Sequence, residues 1–303
     1  MRLSIWPNAA TTWDSLLATA IHAEQTGWDG VWMADHFMPA SGDPQGPINE
    51  ALAYVAGLAV AVPRVRLGTL VCGNTYRHPA VLAKQAATID NISGGRLILG
   101  LGAGWQEREH AAYGIPFHTV KQRLDMFEEA CQLMKALTTE EFADFDGRYY
   151  QLHGTPLSPR PVQSTLPLLV GGGGEKRTLR IAAKYADEWN CWGTPEVLTH
   201  KMAVLDRHCE EVGRDPSTIQ RSGQVLLFMS DNPSFLARVR DLELPNPAAI
   251  GTATEIGDLL HAYADAGLDE FVVNDAAFRA DGAARFDSMD RIREVAMAAT
   301  TGR

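Results

Sequence analysis

Short, almost continuously apolar runs recur along this chain at intervals of about thirty residues, with amphipathic segments between them. Few folds accommodate that rhythm. The runs are Leu3–Trp6, Asp29–Ala34, Val65–Val71, Arg96–Leu101, Leu168–Val170, Glu188–Cys191, Gln224–Met229 and Glu270–Asn274. Each reads as a strand buried on both faces, the condition of a parallel sheet covered by helices. Between the first two, Trp13, Leu16, Leu17, Ala20 and Ile21 recur at helical spacing. Thr11 with Asp14 resembles a capping box at the start of that helix, and Gly27 stops it. Ile48, Leu52, Val55, Ala59 and Val62 mark a second helix, Pro79 opens a third through Ile92, and a fourth runs from Lys121 to Leu137. Further helices are predicted over Glu175–Tyr185, Pro195–Val212, Thr252–Ala266 and Phe286–Ala299, whereas Asn232–Ile250 is ambiguous. Eight strands alternating with helices predict a closed (β/α)8 TIM barrel, one domain over residues 1–303. A doubly wound sheet would carry G-x-G-x-x-G after its first strand, and none stands there.

Residues 138–166 break the rhythm with Gly147, Gly154 and prolines at 156, 159 and 161. A long irregular segment within a barrel reads as a functional insertion. Its Phe142, Phe145, Tyr149 and Tyr150 suit either a lid over a pocket or a dimer contact.

Composition narrows the partners. A net charge of −10 argues against a nucleic-acid binder. The longest apolar run, Ala51–Val62, is too short to cross a bilayer. Cys72, Cys131, Cys191 and Cys209 form no C-x-x-C pair, which suits a reducing cytoplasm better than a disulfide framework. No metal-ligand spacing is visible among the histidines, so no metal is expected. The partner expected from the chemistry is a small-molecule substrate.

In a (β/α)8 barrel the chemistry sits at the carboxyl ends of the strands. After strand two stand Asp35 and His36, a carboxylate beside an imidazole, suited to hydrogen bonding and proton transfer. They could equally be a loop cap and a structural histidine. After strand three stand Cys72, Gly73 and Asn74, and after strand four Gly100–Trp105 followed by Arg108. There Gly104 permits close approach to a flat ligand and Trp105 can wall off a ring; barrel packing is the plainer reading. The clearest physical signal is Gly171, Gly172, Gly173 and Gly174 between a strand and a helix, followed by Glu175, Lys176, Arg177 and Thr178. Converging backbone N–H groups and a helix N-terminus predict a phosphate site that Lys176 or Arg177 and the Thr178 hydroxyl complete. The spacing is not that of a Walker motif.

Four segments in order resemble the bacterial luciferase-like monooxygenase superfamily: Gly30–Phe37 (GVWMADHF), Asn74–Pro79 (NTYRHP), Ile92–Arg96 running into Gly100–Trp105, and Leu169–Gly174 running to Ala186–Asn190. The similarity covers nearly the whole chain and looks closest to the branch of F420-dependent oxidoreductases. It implies a (β/α)8 barrel with an insertion, often a homodimer, that binds coenzyme F420 or, alternatively, FMN. A carboxylate before the histidine, here Asp35, would contact a deazaflavin, whereas the luciferase branch tends to carry histidine there. The family also often has a non-proline cis peptide after strand three, for which Cys72-Gly73 is the matching place. Members that oxidise glucose 6-phosphate carry an acid where Trp105 stands and a tryptophan where Ala40 stands, so the resemblance implies a different substrate. The implied activity is hydride transfer between the deazaflavin and an organic substrate, with His36 as proton donor or acceptor and a flavin or F420 reductase as a possible source of reduced cofactor. Two alternatives stay open: a two-component monooxygenase using reduced FMN, and a non-catalytic deazaflavin carrier.

Overall fold

The computed structural model describes residues 1–39, 42–278 and 282–301. Along the chain run β1 (Arg2–Trp6), α1 (Trp13–Thr26), β2 (Gly30–Met33), α2 (Ala51–Ala61), β3 (Arg66–Thr69), β4 (Cys72–Gly73), α3 (Pro79–Ser93), β5 (Leu97–Gly102), α4 (Glu107–Tyr113) and α5 (Val120–Thr139). There follow β6 (Ala143–Asp146), β7 (Gln151–Thr155), β8 (Leu168–Gly171), α6 (Thr178–Tyr185), β9 (Glu188–Trp192), α7 (Pro195–Glu211), β10 (Gln220–Gln224), β11 (Leu226–Met229), α8 (Pro233–Arg240), β12 (Ala248–Gly251), α9 (Ala253–Asp265), β13 (Glu270–Asn274) and α10 (Ala283–Thr301).

Strands β3-β2-β1-β13-β10-β9-β8-β5 pair in that order, and β3 also pairs with β5, which closes an eight-stranded parallel barrel. The predicted TIM barrel is therefore the observed architecture. Its interior holds Trp32, Leu70, Ile98, Leu169 and Val272, whereas a larger apolar layer lies between the strands and the helices. At the amino-terminal end, Arg66 pairs with Glu188 and Glu270, and Trp32 Nε1 donates to Glu270 at 2.9 Å. This charged plug closes the end of the barrel that carries stability rather than chemistry.

Two local readings change. The first helix is capped by Thr12, whose hydroxyl accepts from Ser15 N, not by Thr11 with Asp14. The seventh barrel strand is Gln220–Gln224, whereas Leu226–Met229 leaves the barrel and pairs with Ala248–Gly251 in a small parallel sheet. The second departure has a physical cause: the true strand points Ser222 and Gln224 inward, so it lacks the apolar run by which its neighbours are read.

The insertion is a hairpin of β6 and β7. Its turn is anchored to α5, where the Glu129 carboxylate accepts from the backbone N–H of Arg148, Tyr149 and Tyr150. Tyr150 is buried edge-on against His78.

Close approach inside the barrel makes a testable contrast. A Cβ on Gly100 would lie 1.9 Å from the Thr69 carbonyl oxygen, so Gly100→Ala must push two adjacent strands apart. Gly257 sits in α9 with only Val295 nearby, at 3.4 Å from an added Cβ. Chemical denaturation should show Gly100→Ala destabilised by about 1–3 kcal/mol or more, and Gly257→Ala unchanged or stabilised by up to roughly 1 kcal/mol.

Candidate active site

A cleft of about 690 Å³ opens at the carboxyl ends of the barrel strands. Asp35, His36, Cys72, Gly73, Gly104, Trp105 and Gly171–Gly173 line it, joined by Trp6, Val71, Tyr76, Asn190, Trp192, Gln224, Pro245 and Asn246. Of the predicted residues, Asn74, Arg108, Gly174, Lys176, Arg177 and Thr178 do not line it. The insertion contributes no residue to this lining, whereas the segment between α8 and β12 contributes Pro245 and Asn246.

The floor is built by a break in strand three. β3 ends at Thr69, and pairing resumes at β4, where Cys72 and Gly73 stand in register with Leu101 and Gly102. The two residues between bulge inward, and the cis peptide is Leu70–Val71 rather than Cys72-Gly73. Cys72 and Gly73 are in register with β5, so the irregularity falls on the unpaired residues before them. The Val71 side chain reaches towards β5 and β8: a Cβ on Gly102 or Gly171 would meet it at 2.9 and 2.8 Å. The glycines thus clear space for a valine that presents an apolar surface to the cleft. Burial pushes the Cys72 thiol well above its ordinary pKa, with the neighbouring Asp35 charge adding to it, so this thiol is no nucleophile.

Asp35 is 2% exposed and accepts a bidentate pair from Arg77, at 2.6 and 2.8 Å, and the Gly73 N–H at 3.1 Å. Arg77 also pairs with Glu50 at the start of α2. Asp35 therefore fixes the strand following the bulge while facing the cleft.

His36 is held by a residue that the sequence reading missed. Glu109, in the first turn of α4, accepts from His36 Nδ1 at 2.9 Å, from the Tyr76 hydroxyl, and from the backbone N–H groups of Phe37 and Met38. Burial alone would raise the pKa of this carboxyl. The hydrogen bonds from His36, Tyr76, Phe37 and Met38 outweigh it and hold the value down to about 2. A carboxylate can only accept, so His36 Nδ1 carries a proton and Nε2 is left for exchange within the cleft. Trp105 packs edge-on to the imidazole, with ring centroids 5.6 Å apart. An acid in the first turn of a helix looks like an ordinary dipole partner, which is why Glu109 draws no notice in the sequence.

The glycine loop differs in its local geometry from the sequence expectation. Its helix starts at Thr178, not Glu175, so residues 175–177 lie in the turn. The Gly172 N–H donates to the Asn190 carbonyl at 2.9 Å. Arg177 pairs with Asp125 and Glu128 of α5, and Lys176 points to solvent. Thr178 packs beneath Gly172 and Gly174. The cation beside the loop is Lys201 of α7, whose Nζ bonds Glu175 at 2.6 Å and whose Cε would lie 3.7 Å from a Cβ on Gly173. Asn74 donates to the Tyr150 hydroxyl at 3.3 Å, and Arg108 to the Gly42 carbonyl at 3.3 Å. Ala40 lies outside the described residues. Among those described, no group of three or more His, Cys, Asp or Glu side chains is placed to hold a metal ion.

Glu109 gives a pH signature. A carboxyl with a depressed folded-state pKa contributes stability that is present above its unfolded value, 4.5, and is lost as pH falls towards 2. Glu109→Gln should be less stable than the parent chain at neutral pH, by roughly 3 kcal/mol, and the gap should shrink as pH falls from 5 to 2. Urea unfolding at stepped pH checks this; a gap that stays constant refutes it.

Known proteins share this fold. A sequence profile of the family described as luciferase-like monooxygenase matches residues 1–245. An F420-dependent glucose-6-phosphate dehydrogenase of Kineococcus radiotolerans is 33% identical over 219 residues, 71% of this chain and 64% of that protein. An F420-dependent hydroxymycolic acid dehydrogenase of Mycobacterium tuberculosis is 30% identical over 256 residues, 80% of this chain and 68% of that protein. The chain thus spans less than two thirds of the length of the glucose-6-phosphate dehydrogenase. Among solved structures, an F420-dependent secondary alcohol dehydrogenase bound to an F420-acetone adduct superposes with a TM-score of 0.83 at 22% identity, covering 98% of this chain and 99% of the other. With a family profile spanning most of its length, a closed barrel and a cleft at the strand ends, the chain belongs to the luciferase-like monooxygenase family.

Proposed function

We propose that the protein is a coenzyme F420-dependent oxidoreductase that transfers a hydride between the deazaflavin and a small organic substrate. The observation that carries this reading is the pairing, in one cleft, of an apolar ledge for a flat ring with a histidine poised for proton transfer. The Val71 bulge, the flanking Cys72 and Gly73 backbone and the glycine-cleared strand ends supply the ledge. F420 dependence in the names of both dehydrogenases supports the choice of cofactor, as does a carboxylate, Asp35, before the histidine.

The residues present fit such a group. Val71, Cys72, Gly73, Gly104 and Trp105 would hold the ring, and Asp35 would keep the strand beneath it in place. The Gly171–Gly173 edge, with Lys201 alongside, would take an anionic part of the tail. When bound, the cofactor supplies the hydride chemistry. His36 would give or take the proton at the substrate oxygen through Nε2, with Glu109 fixing the orientation of the ring. Trp6, Trp105 and Trp192 would keep bulk water from that proton.

We further place the protein in the cytoplasm, because all four cysteines are buried free thiols. No helix among the described residues is long and apolar enough to cross a membrane. A homodimer would cover Val60, Val81 and Ile92, which stand exposed on the paired helices α2 and α3. A reductase would return the cofactor to its reduced state.

Equilibrium titration should show coenzyme F420 binding more tightly than FMN. His36→Ala should keep that affinity and lose about 10²–10⁴-fold in kcat on any substrate turned over. Tight FMN binding without F420 binding, with oxygen consumed in the presence of reduced FMN, would sink the reading in favour of a monooxygenase. Binding with no turnover, and no effect of His36→Ala, would point to a carrier.

A further inference from the structure

The wall opposite His36 carries two side-chain atoms with no hydrogen-bond partner among the described residues. Asn190 of β9 and Gln224 of β10 are 3% and 2% exposed, and both line the cleft. Asn190 Nδ2 donates to Ser222 Oγ at 3.0 Å and to Gln224 Oε1 at 2.8 Å. The amide orientations are fixed by chemistry. Ser222 donates its one proton to the Trp189 carbonyl, at 3.2 Å, so its oxygen must accept from Asn190. Asn190 therefore turns its NH2 towards both neighbours, and Gln224 must meet it with oxygen. That leaves Asn190 Oδ1, an acceptor, and Gln224 Nε2, a donor, without partners among the described residues. Both residues are almost wholly buried and both line the cleft, so the two atoms left over face its interior, where a ligand group can take the place of water.

Two further observations define that group. In the barrel order, β9 stands four strands from β2, which is the opposite side of an eight-stranded mouth. The group held at Asn190 and Gln224 is therefore not the one above His36. Moreover, no lysine or arginine is among the described residues that line the cleft, and its one carboxylate, Asp35, is already paired with Arg77. A phosphate or carboxylate on the substrate would lose its hydration with no lysine or arginine among those lining residues to replace it, and the neighbouring Lys201 is already paired with Glu175. Between the two poles stand Trp6 and Trp192, tilted rings with centroids 5.7 Å apart, which suit a flat or apolar skeleton.

We propose that the substrate is an uncharged, bifunctional molecule: a carbinol or carbonyl at the His36 end, an apolar body along Trp6 and Trp192, and a hydroxyl or amide held by Asn190 and Gln224. A hydroxyl satisfies both free atoms at once, donating to Asn190 Oδ1 and accepting from Gln224 Nε2. This assignment deepens the oxidoreductase reading and rests on it for the group placed at His36. It separates this chain from a sugar-phosphate enzyme, the activity named for the Kineococcus relative.

Three matched probes test it by calorimetry on the full chain, with and without coenzyme F420: raspberry ketone, benzylacetone, which lacks only the phenolic hydroxyl, and the phosphate monoester of raspberry ketone. Raspberry ketone should bind roughly three- to tenfold more tightly than benzylacetone, and the phosphate monoester most weakly of the three. Gln224→Met should erase the advantage of the hydroxyl while leaving F420 affinity within about twofold. Equal binding of the two ketones by the unaltered chain, no binding of either, or tightest binding of the phosphate monoester each overturns the proposal. So does a Gln224→Met chain that loses F420 but keeps the hydroxyl preference, because the amide pair would then belong to the cofactor. An unaltered chain that fails to bind F420 yet shows the hydroxyl preference would sink the cofactor reading and leave this one standing.

Discussion

The Glu109 carboxylate is the tie on which the shape of the cleft depends. It reaches from α4 across the barrel mouth and accepts four hydrogen bonds: one from the imidazole, one from Tyr76 and two from the backbone that follows His36. Each group alone would be mobile at the end of a strand. Together they set the position of the histidine, its tautomer and the course of the loop behind it. The charge is buried, so the arrangement holds only while every one of those donors is present. Asp35 makes a second tie of the same kind, joining β2 to Arg77 and to the strand beyond the Val71 bulge. Two carboxylates thus give the upper rim a rigidity that loops of this composition would lack.

The two ends of the barrel use charge differently. At the amino-terminal end, Glu188 and Glu270 are closed upon Arg66, and Trp32 completes the plug. At the carboxyl end, the one lining carboxylate, Asp35, is paired with Arg77, and the rest of the wall exposes an imidazole, amides and aromatic rings. A closed plug contributes to holding the strands in register. An open wall with amide atoms left over leaves those atoms available to a ligand.

How much of this is legible in the sequence follows from what each residue touches. Parallel strands covered on both sides must be apolar, so seven of the eight barrel strands stand out as apolar runs. The seventh strand, Gln220–Gln224, does not, because its inward side chains take part in the polar wall with Asn190. The misplacement onto Leu226–Met229 therefore marks a place where local pattern yields to function. Asp35, His36 and the glycine loop are legible from their places at strand ends. Glu109 and Lys201 are not: each lies on a helix, at a spacing indistinguishable from surface charge, and only the fold brings it to the mouth. The basic pair after the glycines misleads for the converse reason. Arg177 has its carboxylates waiting on α5, a contact that no local pattern announces.

The placement of the cleft residues separates two tasks on one ring of strands. The residues proposed for proton transfer and for the ring ledge, His36, Val71 and Gly104, follow or lie on strands two to four. The free amide atoms and the tilted tryptophans belong to strands six, seven and one. These groups are tied to different partners: His36 to Glu109, Asn190 to Ser222 and Gln224. A substitution on one side therefore need not disturb the hydrogen bonds of the other. A barrel built in this way can keep its reaction type while its substrate wall changes. On the side opposite the histidine, the wall of this cleft has no lysine or arginine among its described lining residues.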